Sequence, residues 1–511
     1  MSNNDSENRI VVDNEQDGKK IASNTSSEND EGLASIKNDI KALMEMFYIK
    51  DVPSYGNNFF FTIGVYILEL LVILVLSGIT MALFGPYWWD VTAAGVFVRS
   101  IHLWAAEAFV TLILIHLFVN LSTSAYRHKR LVWMIGSVML LVALLEFAFG
   151  IGMGNNFVGQ WNSLSGADLW NGLGLGYWVN PLNGGAIYGW HIAIVPIVLV
   201  ALIAVHFLTV RRRGISKPYR KDIPFKMVKT DHKKMYRRMA YVLIVVLLFA
   251  VFFRAPYTAP VTIQNIAQSQ PQALAITFLN EFNHNSSTAT YLDSIDPYTF
   301  NTRLVYVIEP YEEYARSVGL SGSTITFLNE TPAMQDQYIA GAYAYFDGNG
   351  SIAKAVNSTN PLIAVVGELV MLSDGGMYQQ ILQGEANSGI DQTYTLRLLS
   401  DTGVMDATAT QEGLQVNQWG IIKVAPNGGW QYLEYFMAPY NVLEILEPSW
   451  TDLQDGTVAM IAFLLLFLLP FIPYLRDIPD KLKLYKIFWN RFTVPEIQLE
   501  RAKKLKHKND K

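Results

Sequence analysis

Two apolar runs, each interrupted by two histidines, limit what this chain can be. They span 99–120 and 190–210. His102 and His116 are 14 residues apart, and His191 and His206 are 15 apart. On a straight helix those spacings rotate by about −40° and about +60°, so each pair stays near one face. The axial separations are about 21 Å and about 22 Å. An ionisable side chain inside a membrane helix is costly and is kept for function. A single such histidine reads as a hydrogen-bonded structural residue. Four at matched depth, out of eight in the whole chain, do not.

Two such helices side by side present two His–His clamps, one near each membrane surface. That is the geometry for two bis-imidazole haems stacked across a bilayer. Glycine sharpens the reading. Gly64 and Gly78, in the apolar run before the first pair, are 14 apart, as are Gly136 and Gly150 between the pairs. Glycine has no side chain, so backbone can approach a flat cofactor closely. Glycine also serves helix packing in membranes, but packing alone does not explain a repeat of the haem spacing.

The chain of 511 residues is 51% hydrophobic and 16% charged. It is too apolar for an ordinary soluble chain and too interrupted for one made only of membrane helices. A net charge of −5 argues against a nucleic-acid partner. The absence of cysteine excludes disulfides, iron–sulfur ligation and thioether-attached haem by this chain.

Apolar segments predict membrane helices at about 58–84, 95–121, 131–153, 187–210, 238–254 and 458–475. Trp88 and Trp89 read as an interfacial belt. Lysine and arginine crowd 126–130, 211–238 and 476–511, which places both termini in the cytoplasm. His102 and His191 then lie near the outer surface, and His116 and His206 near the inner one. Residues 1–33 read as a disordered tail rather than a signal peptide, and 34–49 as a helix along the membrane surface. Between 257 and 440 the only basic residues are Arg303, Arg316, Lys354, Arg397 and Lys423. Alternating runs at 393–399 and 421–425, with turns at Asn349-Gly350 and 426–429, predict a β-rich extracytoplasmic domain there. Sequons at Asn285, Asn329, Asn349 and Asn357 suit a glycosylated outer surface. The expected architecture is an all-α membrane helix bundle, a four-helix dihaem core plus two further helices. The β-rich domain is inserted between the fifth and sixth helices. The expected parts are 1–57, 58–256, 257–440, 441–478 and 479–511.

Gly64, Gly78, Arg99-Ser-Ile-His102, His116, Trp133-Met-Ile-Gly136, Gly150, Trp161, His191 with Pro196, and His206 together resemble the cytochrome b subunit of quinol-oxidising bc complexes, the bc1/b6f class. The run 206–218 and the 15-residue spacing are similar to the plastoquinol branch. That branch carries an extra haem attached through a cysteine, which this chain lacks. The resemblance covers 58–256 and a short patch at 443–450. It implies two non-covalent haems, b-type or modified, held by His102 with His191 and by His116 with His206. It places a haem propionate near Arg99, and a propionate or quinone near Arg211. Asp231 and His232 are further candidates, as proton donors to a reduced quinone.

Quinol oxidation needs a base at the outer side. The family's Pro-Glu-Trp-Tyr turn is replaced here by Leu443-Glu444-Ile445-Leu446-Glu447-Pro448-Ser449-Trp450, which makes Glu447 the candidate base and Glu444 the reserve. The family's Pro-Trp stretch after Gly150 is Gly154-Asn155-Asn156. The resemblance further implies a Rieske iron–sulfur partner, other redox subunits such as a terminal oxidase or electron carrier, lipid contacts and a homodimer in the plasma membrane. The helices that end the family's chains have no counterpart. A separate subunit replacing them and a reduced function both stay open. The outer insertion and the lack of cysteine suggest an archaeal, acid-facing version. Two rivals remain: a dihaem anchor wiring another dehydrogenase or oxidase to the quinone pool, and a haem-free transporter or receptor with an outer sensing domain.

Overall fold

The computed structural model describes residues 51–153, 156–214, 226–290, 300–319, 323–387, 390–414, 421–424, 430–433, 442–443, 446 and 452–492. The surface helix expected at 34–49 lies outside them. Five described helices are long and apolar enough to cross a membrane: α1 (Phe59–Val91), α2 (Ala93–Ser122), α3 (Arg130–Gly152), and, after the short α4 (Phe157–Gly172), α5 (Gly184–Arg212) and α6 (His232–Phe252). The shortest has 21 residues, about 31 Å of helix, which matches a hydrocarbon core of about 30 Å. The chain is an integral membrane protein.

Helix starts follow polar caps. The Asn58 side chain accepts from Phe60 N at 3.1 Å, Thr92 from Gly95 N at 3.0 Å, Asn183 from Ala186 N at 3.0 Å and Asp231 from Lys234 N at 2.9 Å. Each satisfies an N–H that a helix start leaves open. α1 bends near its end at Gly85 (φ 76°), just before Pro86. α5 contains a π turn at Trp190–Ile194, with Pro196 two residues beyond it. A π turn takes up one extra residue, so the 15-residue spacing of His191 and His206 acts as one of 14. α1 packs on α2, α2 on α6, and α3 on α5. Leu70, Phe109, Phe147, Leu199 and Val246 fill the space among them.

Beyond α6 the structure overturns the β-rich expectation. The described part of 257–414 is helical, including α7 (Pro271–Phe282), α8 (Pro361–Asp374) and α9 (Thr393–Asp401). Proline occupies the first turn of α7 and α8, where its missing N–H costs nothing. The run 393–399, read as a strand, is α9. Its Thr393, Thr395, Leu396, Arg397, Leu398 and Leu399 are all buried, so polarity does not report the period. Asn349 (φ 57°) closes a helix rather than a hairpin, because the two kinds of turn draw on the same residues. The expectation held for one hairpin, β3 (Ile421–Val424) with β4 (Trp430–Leu433). A second, unexpected pairing joins β1 (Asp51–Pro53) to β2 (Met227–Lys229).

The helical segment shares its core with the membrane part. Phe157, Leu164 and Ala167 of α4 lie in one buried cluster with Phe278, Val366, Leu369 and Leu399. Arg397 of α9 is paired with Asp168 of α4 at 2.9 Å. The sixth apolar helix, α10 (Asp452–Leu468), has 17 residues and is shorter and earlier than the predicted 458–475. It is held at the far end of α3, where Trp133 Nε1 donates to Leu466 O at 2.8 Å and Tyr126 Oη to Arg476 O at 2.6 Å. In the following tail, Phe488 is buried against Phe60 and Phe118.

Glu281 on α7 is wholly buried. Ser286 Oγ donates to its Oε2 at 2.6 Å, and the Asp401 carboxyl lies within electrostatic reach of it. Burial first, and then Asp401, raise the Glu281 carboxyl well above the usual carboxylate range. A carboxyl raised by folding stabilises the fold below its unfolded pKa, and that stability is lost as pH rises through the folded value. Denaturant midpoints of this segment, followed by hydrogen-exchange protection of α7 and α9, should be highest in acid and fall as pH climbs. Glu281→Gln should flatten the profile. A flat wild-type profile would refute the raised carboxyl.

Candidate functional site

The four helical histidines meet in two places. The rings of His102 (α2) and His191 (α5) face one another with centroids 6.2 Å apart and planes at 72°. Two imidazoles on one metal ion, each nitrogen at about 2 Å, hold their centres roughly 6 Å apart. The hydrogen bonds leave the right nitrogens for that task. Ser77 Oγ donates to Ile73 O at 2.7 Å, so it accepts from His102 Nδ1 at 2.9 Å. His191 Nδ1 lies 3.1 Å from Glu146 O and 3.2 Å from Glu146 Oε1, and both of these oxygens accept. On each ring Nδ1 carries the proton and Nε2 keeps its lone pair. This donor pair fits a haem iron.

The second pair is His116 (α2) and His206 (α5), which lie within electrostatic reach of one another. Asn120 Nδ2 donates to His116 O at 2.8 Å and lies 3.3 Å from His116 Nε2.

Glycines back these rings. A Cβ at Gly150 would stand 2.7 Å from His191 Cε1, one at Gly78 3.3 Å from His102 Cε1, and one at Gly136 3.6 Å from His206 Cε1. At Gly64 a Cβ would meet nothing within 4 Å. Three of the glycines thus make room for the imidazoles themselves, a closer role than the cofactor approach read from the spacing.

The other expected residues are placed less simply. Arg99 Nη1 is paired with Asp90 Oδ1 at 2.6 Å, and its Nη2 donates to Pro256 O. Arg211 lies in the last turn of α5, partly exposed. Asp231 caps α6. Trp161 Nε1 donates to Leu414 O at 3.2 Å and packs on the core of the helical segment. Glu444 and Glu447 lie outside the described residues. Sequence reading passed over Ser77 and Glu146, the residues that orient the first pair. The signal for Glu146 was present, since a carboxyl in an apolar helix asks for a function. For Ser77 there was none.

Comparison with known proteins bears on the same helices. The family model described as cytochrome b(N-terminal)/b6/petB matches residues 107–271. The chain is 35% identical over 130 residues to the cytochrome bc1 complex cytochrome b subunit of Mycobacterium leprae, a match that covers 23% of each chain. It is 27% identical over 197 residues to cytochrome b6 of Heliomicrobium gestii, covering 33% of this chain and 89% of that one. A solved structure titled hyperthermophilic respiratory Complex III is 17% identical and covers 68% of this chain and 93% of that one, at a TM-score of 0.34.

The glycine contacts generate a graded expectation. Gly150→Ala forces His191 aside and should remove the absorbance of the haem on the first pair. Gly64→Ala meets no protein atom and should leave the His191 ring and the haem on the first pair in place. Equal spectra for the two variants would show the ring contact to be incidental. Four histidines on two helices and the match over 107–271 lead to one conclusion: the histidine-bearing part of the chain is similar to the cytochrome b(N-terminal)/b6 family.

Proposed function

We propose that this chain is the dihaem cytochrome b subunit of a respiratory quinol-oxidising complex. The observation that carries the proposal is the facing of His102 and His191 at 6.2 Å, with both Nδ1 atoms engaged elsewhere. His102 and His191 would hold one haem and His116 and His206 the other. A haem held by two imidazoles would supply electron transfer rather than oxygen binding. The apolar walls of α1, α2, α3 and α5 keep water from the four rings. Gly78, Gly136 and Gly150 let the rings sit against backbone.

The basic loops put the first pair on the outer side and the second on the inner side. In this reading quinol gives up its electrons and protons at the outer surface. One electron passes to a Rieske iron–sulfur partner. The other crosses the membrane along the line of the two pairs to an inner quinone. Glu447 takes a quinol proton on its carboxylate, with Glu444 as the reserve. Asp90 holds the Arg99 guanidinium one turn before His102, and in this reading that cation would meet a haem propionate. In this reading the helical segment 263–412 lies outside, and a homodimer with further redox subunits completes the complex.

Purified protein should yield two acid–acetone-removable haems per chain. His102→Ala or His191→Ala should lose one, and His116→Ala or His206→Ala the other. Loss of the same haem from His102→Ala and His116→Ala would refute the pairing, and one haem or none in the wild type would sink the reading.

Glu447→Gln keeps shape but removes the base. Loss of a general base costs about 10²–10⁴-fold in rate. Quinol-driven reduction of the haem on the first pair should slow by at least the lower figure, with both haem spectra unchanged. Normal turnover in this variant and in Glu444→Gln would point instead to a dihaem wire without quinol chemistry at this loop.

A further inference from the structure

Glu146 stands out among the groups not yet given a task. It lies on α3, one turn before Gly150, in a helix that crosses the membrane. Two of its oxygens converge on a single atom. His191 Nδ1 is 3.1 Å from the backbone carbonyl and 3.2 Å from the side-chain Oε1. The remaining oxygen, Oε2, is buried without a hydrogen-bond partner. The ring opposite is treated differently, since His102 Nδ1 meets the neutral hydroxyl of Ser77. Gly150 removes the side chain that would push the His191 ring away from this contact.

We propose that Glu146 is a positioning residue that sets the redox potential of the haem held by His102 and His191. The inference rests on the dihaem reading above. An imidazole whose N–H is drawn toward a carboxyl oxygen becomes a stronger donor through its other nitrogen. Stronger donation stabilises the oxidised iron over the reduced iron in a one-electron couple, so the potential falls. A carboxyl on His191 therefore lowers the potential of the haem on the first pair.

The test is a spectroelectrochemical titration of the full-length protein carrying Glu146→Gln. The amide keeps the side-chain shape, and the backbone carbonyl stays in place. Two haems should remain. At a fixed ambient potential the haem of the first pair should shift about tenfold toward the reduced form, ~59 mV for one electron. Its ferric low-spin resonance signal should move as well, and the other haem should not change. Glu146→Asp, which keeps a carboxyl, should restore part of the shift. Two haems with unmoved potentials would overturn the role of Glu146 and leave the dihaem reading intact. Loss of the first haem from both variants would also overturn it, by showing a purely structural contact. Wild-type protein without two haems would instead fail the reading on which the inference rests.

Discussion

An imidazole ring laid against a glycine backbone is the contact on which the membrane half of this chain depends. A side chain at Gly150 would stand 2.7 Å from the His191 ring, closer than real contacts allow. Glycine in a helix costs about 1 kcal/mol relative to alanine. Membrane helices tolerate that cost where close approach is the return. α3 can approach α5 only because these positions are bare, and the approach brings Glu146 onto His191. The π turn at Trp190–Ile194 completes the fit, because it presents His191 to α2 while His206 keeps its place on the same helix.

Much of this was legible before any coordinates. Spacing alone exposed the two histidine pairs and the paired glycines, because a straight helix converts sequence separation into depth and angle. The extra residue between His191 and His206 is taken up by the π turn at Trp190–Ile194. What spacing could not convey was which atom each residue serves. Gly78 and Gly150, expected to give clearance to a cofactor, also give clearance to the rings of His102 and His191. Ser77 carries no signal, since a hydroxyl that bonds its own helix is ordinary in such segments until a neighbour's nitrogen arrives.

The inserted segment was misread for a physical reason. Alternation of polar and apolar residues reports a strand only when one face is wet. α9 is buried on nearly every side, and polar members find partners inside: Arg397 Nη1 pairs with Asp168, and Thr393 Oγ1 donates to Asp391 Oδ1 at 2.6 Å. The alternation there records partners rather than exposure. The Glu281–Asp401 pair belongs to the same pattern of polar groups enclosed by helices. Enclosure of two carboxyl groups side by side raises the Glu281 carboxyl and favours its protonated form.

The position of α4 has a consequence for how the chain is made. Phe157, Leu164 and Ala167 belong to a core whose other walls run from Ile263 to Ala409. α4 therefore leaves the ribosome long before the surface it is to bury exists. About 250 residues must follow, which takes roughly ten to fifty seconds at 5–20 residues per second. Over that interval an apolar face waits beside the bilayer with α3 and α5 already placed on either side of it. The membrane bundle and the helical segment thus mature as one late event, and a nascent chain halted before residue 409 would carry its histidine helices with their connecting loop still open.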